Sequence, residues 1–226
     1  MGAGADGGAV SALPRLYVIV DRATLDARGV GVGAFARELR EAGVRLVQYR
    51  DKVSGPQGVL RGAAEVAEAF AGVEEAVLVM NDRIDLAVLL GWGVHVGQGD
   101  LGVGEVVRLL GERRFPSGMT NKVVGVSTHT EAEVREADAG GADYVAVGPV
   151  FGTTTKMDAE AVVGLEGVRW ARALAARPLV AIGGITLENC ASVIEAGADS
   201  VAVIGGMFVE GRTVGEVVRD FLARLG

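Results

Sequence analysis

Short runs of aliphatic and β-branched residues alternate with longer amphipathic stretches along most of the chain. The apolar runs cover 16–21, 46–51, 76–82, 93–98, 123–128, 144–149, 179–184 and 200–206, eight in all. They are apolar throughout rather than alternating, the pattern of strands covered on both faces, as parallel strands are. The stretches between them predict helices over 33–42, 57–72, 83–91, 104–111, 131–140, 164–176, 187–196 and 214–225. Several end in an acidic or alanine-rich turn and then glycine, as in Glu41-Ala42-Gly43, Ala139-Gly140-Gly141 and Glu195-Ala196-Gly197. Glycine there supplies the left-handed residue that stops a helix. Eight strand–helix units with no ninth strand favour a closed α/β fold, a single (β/α)8 TIM barrel, over an open doubly wound sheet. The barrel is expected over 14–226, after a flexible Gly/Ala-rich tail at 1–13. Residues 112–122 read as a polar loop insertion at the helix-to-strand end.

Composition narrows the function classes. Half of the 226 residues are hydrophobic, enough for a large core without disulfides or metals. The formal net charge of -7 argues against a nucleic-acid or membrane-surface binder, so an anionic ligand needs a local cluster of cations and amides. No apolar run approaches the length of a membrane span. The single cysteine, Cys190, cannot form an internal disulfide, which points to a reducing, cytoplasmic setting.

The chemistry lies at the ends of the apolar runs, where a barrel of this kind carries its catalytic loops. The second run ends in Gln48-Tyr49-Arg50-Asp51-Lys52. Strand alternation puts Gln48, Arg50 and Lys52 on one side, where two cations beside an amide suit a phosphate or pyrophosphate better than they suit a bare strand end. The third run ends in Asn81-Asp82 and the fourth in His95-Val96-Gly97-Gln98-Gly99-Asp100. Asp82 and Asp100 could each cap the following helix. As carboxylates on adjacent strand ends they also suit a magnesium ion, which takes one or two protein carboxylates and fills its shell with water and substrate phosphate. His95, inside its run, reads as a histidine satisfied in the core. Ser127 and Thr128 end the fifth run with nothing resembling a nucleophile triad beside them. After the sixth run, Thr153-Thr154-Thr155-Lys156 concentrates three hydroxyls and a cation, as an anion clamp or lid would. Gly183-Gly184 and Gly205-Gly206 follow the seventh and eighth runs, where backbone N–H groups of barrels often hold a phosphate.

Taken in order, these segments resemble the thiamine-phosphate synthase family. The matching pieces are Val47-Gln48-Tyr49-Arg50-Asp51-Lys52, Asn81-Asp82-Arg83-Ile84-Asp85-Leu86-Ala87, Gly93-Val94-His95-Val96-Gly97-Gln98-Gly99-Asp100, Gly125-Val126-Ser127-Thr128-His129, the segment from Ala142 to Phe151, Thr153-Thr154-Thr155-Lys156, and Ala181-Ile182-Gly183-Gly184-Ile185. No one of them is decisive; the ordered set is specific. Asp51, Gly152 and Gly205 depart from it, standing where the family often carries glutamate, proline and serine.

The resemblance implies a transferase that joins a hydroxymethylpyrimidine pyrophosphate to a thiazole phosphate, with magnesium, giving thiamine phosphate and pyrophosphate. It implies that Gln48, Arg50, Lys52, Asn81 and Lys156 bind the pyrimidine pyrophosphate, that Ser127 contacts the pyrimidine substrate or the leaving pyrophosphate, that Tyr49 and Asp51 are also substrate-binding, and that Asp82 and Asp100 bind magnesium. Thr153, Thr154, Thr155, Gly183, Gly184, Val203 and Ile204 would meet the thiazole phosphate. Arg50, Lys52, Ser127 and Lys156 are the expected catalytic groups. The partners implied are these two small molecules, with no nucleic acid and no membrane, and with room for a homo-oligomer. Two other readings compete: a thiazole tautomerase on the same barrel, which has no use for the pyrophosphate and magnesium groups, and a noncatalytic phosphate-ligand binding protein.

Overall fold

The computed structural model describes residues 13–111, 123–153 and 161–226. Its strands are β1 Leu16–Asp21, β2 Leu46–Arg50, β3 Val77–Asn81, β4 Gly93–Val96, β5 Val124–Thr128, β6 Tyr144–Val147, β7 Leu179–Ile182 and β8 Ser200–Val203. All pair in parallel with their sequence neighbours, and β8 pairs with β1, so the sheet closes as the sequence pattern predicts. The helices are α1 Arg22–Asp26, α2 Val32–Glu41, α3 Pro56–Ala69, α4 Ile84–Leu90, α5 Val103–Gly111, α6 Glu131–Ala139, α7 Gly164–Leu174, α8 Cys190–Glu195 and α9 Val214–Leu225. The predicted strands are all present but several are shorter than their apolar runs. Gly97-Gln98, Gly148-Pro149 and Gly183-Gly184 leave the ladder and become the loops at the strand ends, and Gly205–Met207 form a short 3-10 turn after β8.

Helix α1 was not predicted. Its five residues are too few to show a period, and it forms because the Asp21 carboxylate accepts a hydrogen bond from the Thr24 amide at 2.9 Å.

Strand alternation divides the core in two. Tyr17, Ile19, Leu46, Val79, Tyr144, Ala146, Val180 and Ala202 point into the barrel and pack together. Val18, Val20, Val47, Tyr49, Met80, Val94, Val145 and Val201 point outward against the helices. On α2, Phe35, Ala36 and Leu39 share the buried face, and Phe35 stacks on Phe208 at 5.5 Å between ring centroids. Full burial of a side chain such as Phe35 or Leu39 stabilises the fold by about 1.5–3 kcal/mol. Leu13, which the sequence assigns to the tail, is 6% exposed and packs with the interior cluster. Residues 1–12 and the expected insertion at 112–122 lie outside the described residues. Among the described residues no helix is long and apolar enough to cross a membrane.

Candidate active site

The carboxyl ends of the strands surround a cavity of about 930 Å³. Most of the residues expected at the site line it: Gln48, Arg50 and Lys52 from β2 and beyond, Asn81 and Asp82 after β3, Asp100 after β4 and Ser127 on β5. Thr153, Gly183, Gly184, Val203 and Ile204 complete the opposite wall. That volume lies within the range of small-molecule sites, roughly 300–1,000 Å³.

The first wall is charged, and its charges are already paired. Arg50 and Asp21 are register partners on β2 and β1, and the guanidinium Nη1 donates to Asp21 Oδ2 at 2.5 Å. Asp21 is 3% exposed, so the arginine is tethered from beneath by a buried carboxylate. Lys52 forms an ion pair with Asp82 at the rim. Asp82 has φ 57°, in the left-handed region that aspartate tolerates better than most residues. The N-cap residue of α4 is Arg83, with no side-chain cap, so Asp82 is not spent on capping. Asp100 likewise turns back into the site, its Oδ2 accepting from the Gly97 amide at 2.8 Å. Burial and the neighbouring Asp82 carboxylate push the Asp100 carboxyl above the usual range, partly offset by the Gly97 amide and by Lys52. Two neighbouring carboxylates on adjacent strand ends, one of them costly to ionise beside the other, form a donor set that fits a divalent cation. Among the described residues no group of three or more histidine, cysteine or carboxylate side chains converges on such a point, so substrate and water would have to fill most of a cation's shell.

The opposite wall is backbone. Gly183 and Gly184 have φ 103° and 64°, and their loop carries two hydrogen bonds from the loop after β6: Val150 N to Ile182 O at 2.9 Å and Phe151 N to Gly183 O at 3.0 Å. A Cβ at Gly183 would lie 2.5 Å from Pro149 Cβ, and one at Gly184 would lie 2.6 Å from Gly152 O. Both the backbone angles and the close loop contact therefore require glycine. Asn189 holds this turn from behind: its Nδ2 donates to Gly184 O at 2.9 Å and its Oδ1 accepts from Thr186 N at 2.8 Å.

Beneath the cavity, polar side chains of the barrel interior join in a chain. Gln48 Nε2 donates to the Tyr17 hydroxyl at 2.8 Å, and the Tyr17 and Tyr144 hydroxyls are 2.9 Å apart. Tyr144 Oη meets His95 Nδ1 at 2.9 Å, and His95 Nε2 meets Ser127 Oγ at 2.8 Å. Gly125 makes the third contact possible. It lies between His95 and Tyr144 in register, and the Tyr144 ring occupies the place of the side chain that Gly125 lacks. Burial holds the Tyr17 and Tyr144 hydroxyls well above the ordinary phenol range, so both keep their hydrogen.

Two expected ligand contacts are elsewhere. Tyr49 and Asp51 have the opposite parity to Gln48, Arg50 and Lys52 and lie on the helix side of β2. Tyr49 is fully buried against α3, where its hydroxyl fills the space above Gly62 and donates to Asp51 Oδ2 at 3.1 Å. Asp51 Oδ1 accepts from the amides of Val53 and Ser54 at 3.0 and 2.9 Å and so shapes the loop. Thr154, Thr155 and Lys156 lie outside the described residues. Sequence reasoning missed Asp21 and Asn189, and it read His95 as core. His95 is indeed buried and hydrogen-bonded, but it also lines the cavity. Parity carried a signal for Asp21, since residues 17, 19 and 21 of β1 share the inward face; Asn189 offered none.

The family model described as thiamine monophosphate synthase matches residues 16–207. A thiamine-phosphate synthase of Koribacter versatilis is 44% identical over 203 residues, covering 88% of this chain and 92% of the relative. Its counterpart in Chloroflexus aurantiacus is 41% identical over 200 residues, covering 85% and 84%. Among solved structures, the thiamine phosphate pyrophosphorylase of Pyrococcus furiosus superposes with a TM-score of 0.77 at 28% identity, over 93% of this chain and 95% of that one.

Proposed function

The chain belongs to the thiamine monophosphate synthase family and is a transferase of thiamine biosynthesis, and on that premise we propose how its cavity divides between two substrates. The reaction joins 4-amino-2-methyl-5-(diphosphooxymethyl)pyrimidine to 4-methyl-5-(2-phosphooxyethyl)thiazole. The pyrimidine's exocyclic carbon–oxygen bond to pyrophosphate breaks, a carbon–nitrogen bond to the thiazole nitrogen forms, and thiamine phosphate and pyrophosphate leave.

One observation carries this division: a charged wall and a glycine wall face each other across a single cavity. The diphosphate belongs with Arg50, Lys52 and Asn81, and with Lys156, which follows β6 in sequence. Gln48 and Ser127 offer polar groups to the pyrimidine substrate. The thiazole phosphate belongs with the amides after β7 and β8, from Gly183-Gly184 and Val203-Ile204, with Thr153 beside them and the hydroxyls of Thr154 and Thr155 contributing. Asp82 and Asp100 would hold magnesium, which when bound supplies positive charge for the departing pyrophosphate. Arg50 supplies a fixed pair-forming fork and Lys52 a mobile charge, both stabilising negative charge that grows as the bond breaks. The electron-rich aminopyrimidine supports a transient methylene cation, so no protein nucleophile is required. The buried floor keeps water from that cation, and the two walls hold the thiazole nitrogen near the carbon it attacks.

The catalytic domain on this reading is the barrel over 14–226, and the lone, buried Cys190 supports a reducing, cytoplasmic setting. The decisive test is to incubate the purified protein with both substrates and magnesium and follow thiamine phosphate by mass spectrometry and pyrophosphate by a coupled assay. Stoichiometric appearance of both products supports the reading. Isomerised thiazole without pyrophosphate release would favour a tautomerase, and binding without turnover a ligand-binding protein.

A further inference from the structure

The polar chain beneath the cavity has a direction. Gln48 Nε2 carries only hydrogens, so it donates to the Tyr17 oxygen. Tyr17 is 1% exposed, and its own hydrogen must find an acceptor; the Tyr144 oxygen, 2.9 Å away, is the one in reach. Tyr144, fully buried, then passes its hydrogen on to His95 Nδ1. Reversing the Tyr17–Tyr144 link would leave Tyr17 accepting twice with its hydrogen unpaired, and reversing the Tyr144–His95 link would do the same to Tyr144; buried polar groups avoid both. Nδ1 of His95 is thus an acceptor, the ring hydrogen sits on Nε2, and it is donated to Ser127 Oγ. Ser127 accepts on the floor side, and its own hydrogen is left for an acceptor in the cavity.

We infer that His95 is a positioning residue: through the Nε2 hydrogen it fixes Ser127 as a hydrogen-bond donor to the diphosphate-bearing pyrimidine substrate. The inference rests on the proposed assignment of Ser127 to that substrate. It adds a role that the expected reading of His95 as core filling does not contain. A serine whose hydrogen went to the histidine would offer the ligand only lone pairs; one that accepts from a donor beneath it keeps its hydrogen for the ligand, which suits a leaving group that gains negative charge. Gly125 belongs to the device, because any side chain there would displace the Tyr144 ring that sets the histidine's orientation. The near-parallel stacking of His95 and Tyr144, 5.6 Å between centroids with 22° between planes, holds both rings in that arrangement.

Two measurements test this, and they fail separately. The first needs no substrate: two-bond proton–nitrogen correlation spectra of the intact, uniformly labelled protein report which imidazole nitrogen carries hydrogen. The chain has only two histidines, so a His95→Asn spectrum identifies the signal. His95 is expected with Nε2 protonated and Nδ1 bare; the opposite tautomer overturns the inference whatever reaction the protein performs.

The second is a kinetic cycle. Ser127→Ala and His95→Asn should each lower kcat by about 10- to 100-fold, with the KM for thiazole phosphate changed less than about twofold. If the histidine acts through the serine, the double variant is no slower than Ser127→Ala alone. Losses that multiply overturn the inference. His95→Gln should recover most of the rate, because its amide nitrogen reaches the Nε2 position, whereas asparagine reaches only the Nδ1 end. Equal rates for the two variants at equal melting temperatures would make the histidine structural and overturn its role. Failure of the wild-type protein to form thiamine phosphate, or a wild-type rate for Ser127→Ala, would instead strike the assignment of the reaction or of Ser127. The tautomer measurement would still judge the chain beneath.

Discussion

Arg50 reaches the cavity with its Nη1 held 2.5 Å from Oδ2 of the buried Asp21, its register partner on the neighbouring strand. The tether removes rotamer freedom before any ligand arrives, so the guanidinium is presented rather than sought. It also sets an order of effects. Arg50→Ala should lower kcat/KM by about 100-fold or more through loss of pyrophosphate contacts, and Arg50→Lys should recover little, because an ammonium cannot serve both Asp21 and a phosphate in the same plane. Asp21→Asn keeps the cap on α1 but loses the charge, and should cost about tenfold through disorder of the arginine. Steady-state titration of each substrate checks this; an Asp21→Asn defect as large as that of Arg50→Ala would mean that the aspartate acts on the fold instead.

The carboxylate pair predicts a metal requirement that leaves the fold alone. Chelation should abolish turnover and magnesium restore it, while the melting temperature of the substrate-free protein moves little, since the hydrophobic core holds the barrel together. Asp82→Ala and Asp100→Ala should each cost about two orders of magnitude or more in turnover. Near wild-type rates for both at low magnesium would place the cation elsewhere.

Gly184 separates binding from folding less cleanly than a phosphate-facing glycine would. A methyl group at this position meets Gly152 O and Phe151 Cβ, at a φ of 64°. Gly184→Ala should therefore destabilise the protein by about 1–2 kcal/mol from the backbone alone, with more from the collision. That corresponds to a melting temperature lowered by about 2–4 °C for each kcal/mol.

Asn189→Ala is the gentler probe of the same loop. It removes the latch on Gly184 O and Thr186 N without entering the cavity. The KM for thiazole phosphate should rise about three- to tenfold while that for the pyrimidine substrate changes little, as loss of one or two neutral hydrogen bonds allows. Equal rises for both substrates would deny the glycine wall a separate ligand.

Gly125→Ala tests the packing of the floor. The new methyl would fall where the Tyr144 ring lies, with Tyr144 Cζ 1.9 Å from the ideal Cβ, so overpacking should cost about 1–3 kcal/mol by chemical denaturation. The affinity for thiazole phosphate should change little, since Gly125 sits beneath the other wall.

By itself the sequence determined the barrel, because both the two-sided burial of parallel strands and the amphipathic period of the helices are written in local order. It also determined which strand ends are polar, and parity sorted Gln48, Arg50 and Lys52 to the inside. The same rule sends Tyr49 and Asp51 outward, to α3 and to their own loop, although they sit within the same motif. What only the tertiary structure decided is how distant strands are staggered. Register between neighbouring strands puts Asp21 beside Arg50 and the Tyr144 ring above Gly125, and closure of the sheet brings Tyr17 to Tyr144 so that one hydrogen-bond chain runs from Gln48 to Ser127. Those neighbours are separated by up to 127 residues in the chain, as Tyr17 and Tyr144 are. No local period encodes the shear that brings them together; it arises when tilted strands must meet around a closed ring.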